Sequence, residues 1–453
     1  MYNGIKGVTK TRVLKVEPQQ PINGLNTEVS DGIQEPPSMI DIMKPITRSM
    51  TVFGIYFWKK KRKIHDHADG YSRAGTCALF SSTIIYNIIV VLVLCWGLLR
   101  LLVSMIIGGL STGILIYHIL SFSWDFLCAV NGVVCLKSST NRFGHLHVFY
   151  QHWQEKVTKD FRELKIQYNT TKLRRGFFIT FTISWMVIAF NVVGTGILLF
   201  APLGEVSDTF GLLFTSPFPT TIPLKILSLI IHCYITCAWI LPAPLVIISS
   251  LAIKYGFLAL CDAMEREISL SNDKLTDRLQ EFRKAHLNLC RCIDILDKDI
   301  NILNANWYAV NVPLTCFILY ALINFGDGIL AKAMLTFWLV TTLGYVAMTS
   351  FFAANLHEMA HSLLEPILET ATNDITLEKH AQLNLILVKL NGPSIGFTVL
   401  TLITITKELL LTVTCLSVLF CLYLLLLNYF LIIFSACVYV CMIVWFILYA
   451  FCI

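Results

Sequence analysis

Charged side chains are scarce in this sequence of 453 residues, at 14% of the total, while hydrophobic residues make up 56%. Ordinary soluble domains carry about a quarter charged residues, so the composition excludes that class and makes lipid the main solvent of the chain. The net charge of +6 does not predict a nucleic-acid partner, because the basic residues lie beside apolar runs and are not gathered on one exposed face.

The sequence also lacks the cysteine spacings that form metal or disulfide sites. Its 15 cysteines include no CxxC pair, and most are scattered through apolar runs, where a thiol behaves as a small hydrophobic group. We therefore predict no disulfide framework, no zinc ribbon and no cofactor. Residues 1–76 have no apolar stretch with a small-residue cleavage site, so the first span is expected to serve as the targeting signal.

Long apolar runs, by contrast, are abundant. About 20 residues cross roughly 30 Å of hydrocarbon as a helix, and seven runs reach this length. The predicted spans lie near 77–99, 112–136, 176–202, 226–253, 306–325, 333–354 and 398–427. The expected fold class is therefore an all-α membrane protein, a seven-span helical bundle in a multi-pass arrangement.

An uncharged segment, 428–453, follows the last of these runs. The whole stretch from Leu409 to Ile453 has no charge and would measure about 67 Å as one helix, more than twice the hydrocarbon thickness. We favour an eighth span here, with Asn428 as the turn residue. The alternative is a seven-span chain whose extra residues pack on the outer surface.

Basic residues are distributed asymmetrically between the connections. Residues 1–76 and the three long connections hold 31 of the 35 lysines and arginines. The long connections are 137–175, 254–305 and 355–397. The positive-inside rule places all of them, and the amino terminus, in the cytoplasm.

Five parts of the chain follow from these patterns. Within the connection 254–305, residues 262–300 combine apolar residues at helical spacing with mixed charges, which predicts a packed cytoplasmic helical base. The parts are a cytoplasmic segment (1–76), spans 1 to 4 (77–253), the base (254–305), spans 5 to 7 (306–427) and the hydrophobic extension (428–453).

Three segments have features of one receptor family. Residues 43–58 (MKPITRSMTVFGIYFW) form a short stretch with Pro and Gly ahead of the first span, residues 338–368 begin with a tryptophan and end in a polar amphipathic exit, and residues 403–413 read ITITKELLLTV. Together with an odd number of spans and a cytoplasmic amino terminus, they resemble the insect gustatory receptors and their gustatory-receptor-like relatives.

The resemblance implies a sensory chemoreceptor of the plasma membrane that is also a ligand-gated cation channel. It implies a homo- or heterotetramer whose seventh helices line the pore, opened by a small molecule or another stimulus such as light. The family's last helix ends TYhhhhhQF, and here Leu419-Phe420 and Leu426-Leu427 take the four named positions with the apolar spacing kept.

The same resemblance assigns the pore residues. Lys407 and Glu408 would form rings of charge near the inner mouth of a four-fold channel, and Leu426 and Leu427 would lie at the gate. As an alternative, Lys407 snorkels to the membrane interface and Glu408 pairs with it or with a neighbour.

Polar and aromatic side chains within the spans are the candidates for a ligand pocket. A charge facing lipid costs several kcal/mol, so ionisable residues in spans usually face a cavity, a pore or one another. Stacking surfaces with a few directional hydrogen bonds suit a small polar ligand, whereas simple interhelical hydrogen bonding is the alternative for each residue. The candidates are His118, Asp125, Asn191, His232, Tyr234 and Trp338. Pro242 and Pro244 are expected to kink span 4.

Residues 357–361 read HEMAH, an HExxH pattern in which His357 and His361 could bind zinc while Glu358 acts as the general base. This alternative would make the protein a membrane metalloprotease. A catalytic zinc needs a third protein ligand, and Glu365 lies about 12 Å along the helix axis from His357. We therefore expect no enzyme. A non-conducting signalling or scaffold protein is the third hypothesis, because the end of the last helix departs from the family motif.

Overall fold

The computed structural model describes most of the helical part of the chain, and the fold is given for those residues. They are 38–56, 82–107, 112–139, 144–201, 205–270, 278–324, 328–364, 367, 376–392, 394–413, 415 and 419.

The described residues are almost entirely helical. In chain order the helices are α1 (Met39–Val52), α2 (Ser82–Ile107), α3 (Thr112–Ser139), α4 (His145–His152), a π-helical turn (Trp153–Val157), α5 (Thr158–Glu163), α6 (Thr170–Phe200), α7 (Glu205–Thr215), α8 (Ile222–Ile240), α9 (Pro242–Leu270), α10 (Leu279–Asn324), α11 (Ile329–His361) and α12 (Leu377–Leu390). Two short strands, β1 (Thr398–Val399) and β2 (Ile403–Thr404), follow.

Six helical runs in the described residues are long and apolar enough to cross a membrane, and they coincide with predicted spans 1 to 6. They are Ile84–Ile107, Ile114–Ser139, Thr170–Phe200, Ile222–Leu270, Leu279–Asn324 and Ile329–His361. Large apolar side chains are left exposed on the outer helices, such as Leu92 (62% exposed) and Val193 (61% exposed). Such faces are stable only against lipid, so the chain is a multi-pass membrane protein.

The fourth span is made of two helices, α8 and α9, which meet at Leu241. The amide of Leu241 still donates to the Cys237 carbonyl (3.0 Å), but Pro242, the first residue of α9, has no N–H to continue the ladder. The span is therefore interrupted at Pro242, one of the two prolines predicted to kink it. Pro244 falls in the first turn of α9, a position where a missing N–H breaks no helical bond.

The start of the predicted seventh span needs a correction. Thr398 and Val399 pair antiparallel with Thr404 and Ile403, and residues 407–413 are helical only after this hairpin. Tertiary contacts fix the hairpin, since the Asp297 carboxylate accepts bonds from the Thr398 amide (2.7 Å) and hydroxyl (2.6 Å). Leu426, Leu427 and the segment 428–453 lie outside the described residues.

Residues 254–270 and 278–305, in the segment predicted as the base, are helical, and α10 is the central element of this segment. This helix has 46 residues, about 69 Å at 1.5 Å per residue, so it runs without a break from the base into span 5. Asp299 of α10 is buried and accepts bonds from the Ser138 hydroxyl (2.7 Å), the His145 amide (3.1 Å) and the His145 Nδ1 (3.0 Å). These bonds join α10 to α3 and α4.

The pre-membrane segment packs into the same core. The side chains of Met43, Ile46 and Met50 in α1 are fully buried. The side-chain amide of Asn87 in α2 donates to the Tyr56 carbonyl (3.1 Å). Residues 43–56, one of the segments that carried the family resemblance, are therefore part of the folded bundle and not a free tether.

Candidate functional site

A cavity of about 120 Å³ lies at the end of the bundle remote from the base. Helices α2, α3, α7, α8, α10 and α11 surround it, and its walls include Arg100, Asp125, Trp124, Phe214, His232 and Trp338. An engineered apolar cavity of about 150 Å³ accepts benzene, so this space suits a ligand of about one ring. The cavity contains three of the six predicted pocket residues.

Aromatic rings form one wall of the cavity around Trp124. The ring of Trp124 lies edge-on to those of Trp239 (4.7 Å between centroids), Trp338 (5.3 Å) and His232 (5.8 Å). Edge-to-face pairs of this kind are more stable than random contact by about 0.5–1.5 kcal/mol. Trp124 therefore contributes an aromatic surface to the cavity wall.

A hydrogen-bonded cluster holds the same wall together across three helices. Asn191 of α6 donates to the Thr236 hydroxyl (2.8 Å) and to the His232 Nε2 (3.1 Å), and its amide oxygen accepts from the Trp338 indole (2.8 Å). The Thr195 hydroxyl also reaches the His232 Nε2 (3.1 Å). Because Asn191 donates to it, Nε2 is an acceptor and the neutral ring carries its proton on Nδ1.

Asp125 is the acidic residue of the cavity wall. Its side chain is 9% exposed, and no hydrogen bond from the described residues reaches its carboxylate. Arg100, within electrostatic reach of it, donates to the carbonyls of Leu213 (3.2 Å) and Ser216 (2.6 Å). A carboxylate with unused acceptor capacity beside a fixed cation is suited to bind a polar ligand group.

Gly97 makes the close approach of α2 to Asp125 possible. A methyl group at this position would lie 3.0 Å from the Asp125 Oδ2, closer than an ordinary van der Waals contact. The glycine therefore permits the present position of the carboxylate.

His118 lies beside the cavity and does not line it. Its Nδ1 donates to the Ile114 carbonyl (2.9 Å), and its Nε2 meets the Ser104 hydroxyl (2.9 Å), which also bonds Ser216 (2.6 Å). Both ring nitrogens are thus engaged between α2, α3 and the chain after α7. For His118 the geometry favours the interhelical alternative.

Tyr234 is separated from the other candidates, which corrects the predicted grouping with His232. Its hydroxyl accepts from the Tyr86 hydroxyl (3.2 Å), and its ring contacts Phe53 of the pre-membrane segment (5.6 Å between centroids). Two residues along a helix turn a side chain by about 200°, so His232 and Tyr234 point to opposite faces.

Sequence reasoning missed several residues that the fold brings to the site. Arg100 was counted only in the charge asymmetry, although a lone arginine in an apolar run signals a buried partner. Asn306 donates to Asn131 Oδ1 and to the Leu127 carbonyl (both 3.0 Å), while Asn131 donates to the Ala238 carbonyl (3.3 Å). These side-chain amides connect α10, α3 and α8 by hydrogen bonds on the base side of the cavity.

The predicted pore residue Lys407 forms an ion pair with Glu358 of the HExxH sequence, 2.6 Å between Nζ and Oε2. His357 donates from Nδ1 to the Ile395 carbonyl (2.8 Å), and His361 donates from Nδ1 to the His357 carbonyl (2.9 Å). Within the described ranges no three His, Cys, Asp or Glu side chains group to hold a metal. The side chain of Glu408 is exposed.

Comparison with known proteins gives a match by structure and none by sequence. No family model matches the chain, and no curated protein matches its sequence. The insect olfactory receptor OR5 from Machilis hrabei, solved in complex with eugenol, superposes with a TM-score of 0.67 at 16% identity over 86% of this chain and 98% of that chain. A further structure of the same receptor gives 0.64 at 12% identity over 85% and 97%.

These results define the class first: a polytopic helical membrane protein with a cavity between its spans. They then define the fold, which is that of the insect olfactory receptors, relatives of the gustatory receptors among seven-transmembrane chemoreceptors. The family resemblance inferred from the sequence is confirmed at the level of fold. The similar solved structures are receptors and not enzymes.

Proposed function

We propose that the protein is a chemoreceptor of the gustatory-receptor type, a ligand-gated cation channel of the plasma membrane. The observation that carries this proposal is the cavity, where Asp125, which receives no hydrogen bond from the described residues, and the aromatic side chains of Trp124 and Trp338 line a ring-sized space. A receptor of the same fold has been solved with eugenol. A small molecule with an aromatic or similar ring and at least one polar group fits these walls.

The subunits of this channel form a tetramer around the helix that begins near Lys407, with the amino terminus in the cytoplasm. The tetramer is what the resemblance to the gustatory receptors implies, and the concentration of basic residues on one side supports the orientation. Permeant cations would pass along the last helix, whose first charges are Lys407 and Glu408.

Ligand binding and pore opening are connected through α11. This helix contributes Trp338 to the cavity and, about 29 Å further along its axis, His357, which holds the Ile395 carbonyl just ahead of the hairpin. A ligand that binds one position of α11 more tightly than another shifts the hairpin and the helix after it. Only this difference in affinity between closed and open states can drive opening.

Recording from cells that express the chain tests the proposal. Ring-containing small molecules applied from outside should evoke cation currents, and an Asp125→Asn variant at equal surface expression should respond at higher concentrations. Val193→Ala, a lipid-facing change in α6, serves as the matched control. Absence of current from protein that single-particle imaging shows to be tetrameric would instead favour a non-conducting signalling role.

The orientation has its own test. Epitope tags inserted in 1–76 and in the base should be inaccessible to antibody on intact cells and accessible after permeabilisation. Surface labelling of either tag would reverse the topology and, with it, the assignment of the cavity to the outer side.

A further inference from the structure

A second recess opens on the lipid-facing side of the bundle, between α6 and α11. It measures about 510 Å³, and α9 forms its floor just after the break at Leu241. Its lining includes Gly176, Ile183, Pro244, Leu251, Gly344 and Phe352. We call it the α6–α11 groove. It is distinct from the cavity around Trp124, with which it has no lining residue in common.

The surface of the α6–α11 groove is suited to hydrocarbon. The hydroxyls of Thr180 and Ser184 on its α6 wall are used within the helix, bonded to the carbonyls of Gly176 (2.9 Å) and Thr180 (2.8 Å). A Cβ added at Gly344 would meet no atom within 4 Å, so the α11 wall leaves open space. An apolar recess of this kind inside a membrane span is filled by lipid chains rather than water.

The length of the groove matches one leaflet. Its α6 wall runs from Gly176 to Val187, about 17 Å of helix. Half of a hydrocarbon core of roughly 30 Å is about 15 Å. The groove therefore accommodates the acyl chain of a lipid from one leaflet, the leaflet on the side of the base.

Basic side chains stand at the base end of the groove. Lys172 lies one turn before Gly176 on the same face of α6, Arg175 is at its edge one turn before Ile179, and Lys254 adjoins the lining residue Tyr255 in α9. The described residues give none of these three side chains a hydrogen bond or ion pair. These three cations lie near the level at which the acyl chain of a bound lipid joins its headgroup. Each attracts an anionic lipid by about 1 kcal/mol.

We propose that the α6–α11 groove is a binding site for an anionic phospholipid. One acyl chain lies between α6 and α11 against α9, and the phosphate contacts Lys172, Arg175 and Lys254. The bound chain fills the space behind the α8–α9 break and so supports α11, the helix that also reaches the ligand cavity. This site does not depend on the proposed channel activity.

Photolabelling of the purified full chain in lipid nanodiscs tests the site. The probes are phosphatidylserine and phosphatidylcholine, each with a diazirine on the acyl chain, and labelled peptides are mapped by mass spectrometry. We expect labelling within 176–187 and 340–352 that is several-fold stronger for phosphatidylserine. Equal labelling by the two probes would overturn the headgroup assignment and with it the proposal.

Two sets of variants sharpen the test. Gly344→Phe fills the groove and should abolish the phosphatidylserine signal, whereas Gly344→Ala should retain it. Lys172→Gln, Arg175→Gln and Lys254→Gln should each lower the preference for phosphatidylserine about fivefold. Arg174→Gln is the matched control, because helical periodicity places Arg174 on the opposite face of α6.

The three lysine and arginine variants change surface side chains, so we expect them to fold. They therefore test the proposal even if Gly344→Phe does not fold. Unchanged labelling in folded Gly344→Phe protein would contradict the groove as the site. If Arg174→Gln and Arg175→Gln lower the preference for phosphatidylserine equally, the basic surface attracts anionic lipid diffusely and there is no defined site.

Discussion

The carboxylates at the two ends of the bundle differ in their hydrogen bonds. In the base, the carboxylates are fully engaged: Asp299 accepts three bonds, Asp297 accepts two from Thr398, and Asp160 pairs with Lys284 (3.0 Å). At the cavity, by contrast, Asp125 receives no hydrogen bond from the described residues.

This difference in hydrogen bonding distinguishes carboxylates that stabilise the fold from one that can bind a ligand. A satisfied buried carboxylate fixes its neighbours, because removing it leaves several donors without partners at about 1–3 kcal/mol each. A buried acceptor without a partner at the edge of a cavity is instead unfavourable until a ligand donates a hydrogen bond to it. We therefore expect changes in the base to alter folding, and changes in the cavity to alter ligand sensitivity.

The largest effect is expected from Asp299→Ala. The Ser138 hydroxyl and both His145 donors would lose their acceptor, at a cost of about 3 kcal/mol or more. Fluorescence-detected gel filtration after heating should show a large loss of assembled protein. Asp294→Ala, an exposed position on the same helix, should behave like the wild type; equal stability of the two variants would contradict the scaffold role of the base.

Asp125→Asn and Trp338→Ala should act on the ligand response. Each removes a cavity contact while leaving the base intact, so the half-maximal ligand concentration should rise about tenfold, as expected for a lost bond to a charged or buried group. Single-channel conductance should stay unchanged, because both residues are far from the hairpin and the last helix. Altered conductance at unchanged sensitivity would assign them to the pore.

Gly97→Ala is a smaller perturbation of the same contact. The new methyl group, 3.0 Å from the Asp125 Oδ2, would displace the carboxylate and raise the half-maximal concentration about fivefold. Gly196→Ala is the matched control, since its Cβ would make an ordinary contact of 3.7 Å with Leu229. If the two variants respond alike, the position of Asp125 does not control affinity.

The smallest effect is expected from Glu358→Gln. Its ion pair with Lys407 joins side chains that are 56% and 60% exposed, and exposed pairs contribute less than about 1 kcal/mol. Assembly and ligand response should remain close to wild type, with no zinc in purified protein by elemental analysis. Abolished activity in a folded variant, together with bound zinc in the wild type, would support the metalloprotease alternative.

Composition and local sequence pattern were sufficient to predict the six spans that the described residues contain. The six apolar runs and the break at Pro242 depend on hydrophobicity over 20 residues and on a missing N–H, and both are properties of the local sequence. The hairpin at 398–404 was not predictable in this way. Its residues are as apolar as a span, and Asp297, about a hundred positions earlier, provides the bonds that hold it.

The candidate site could likewise be predicted from the sequence only in part. Sequence alone selected Asp125, Asn191, His232 and Trp338, because polar groups are costly in lipid and must serve a purpose there. The tertiary structure decided which of them meet. It brought Arg100 of α2 to Asp125 of α3, turned Tyr234 to the opposite face, and enclosed His118 in bonds between helices. Local sequence limits which residues can lie in the membrane, but the rotation of each helix about its axis is set by packing against distant neighbours.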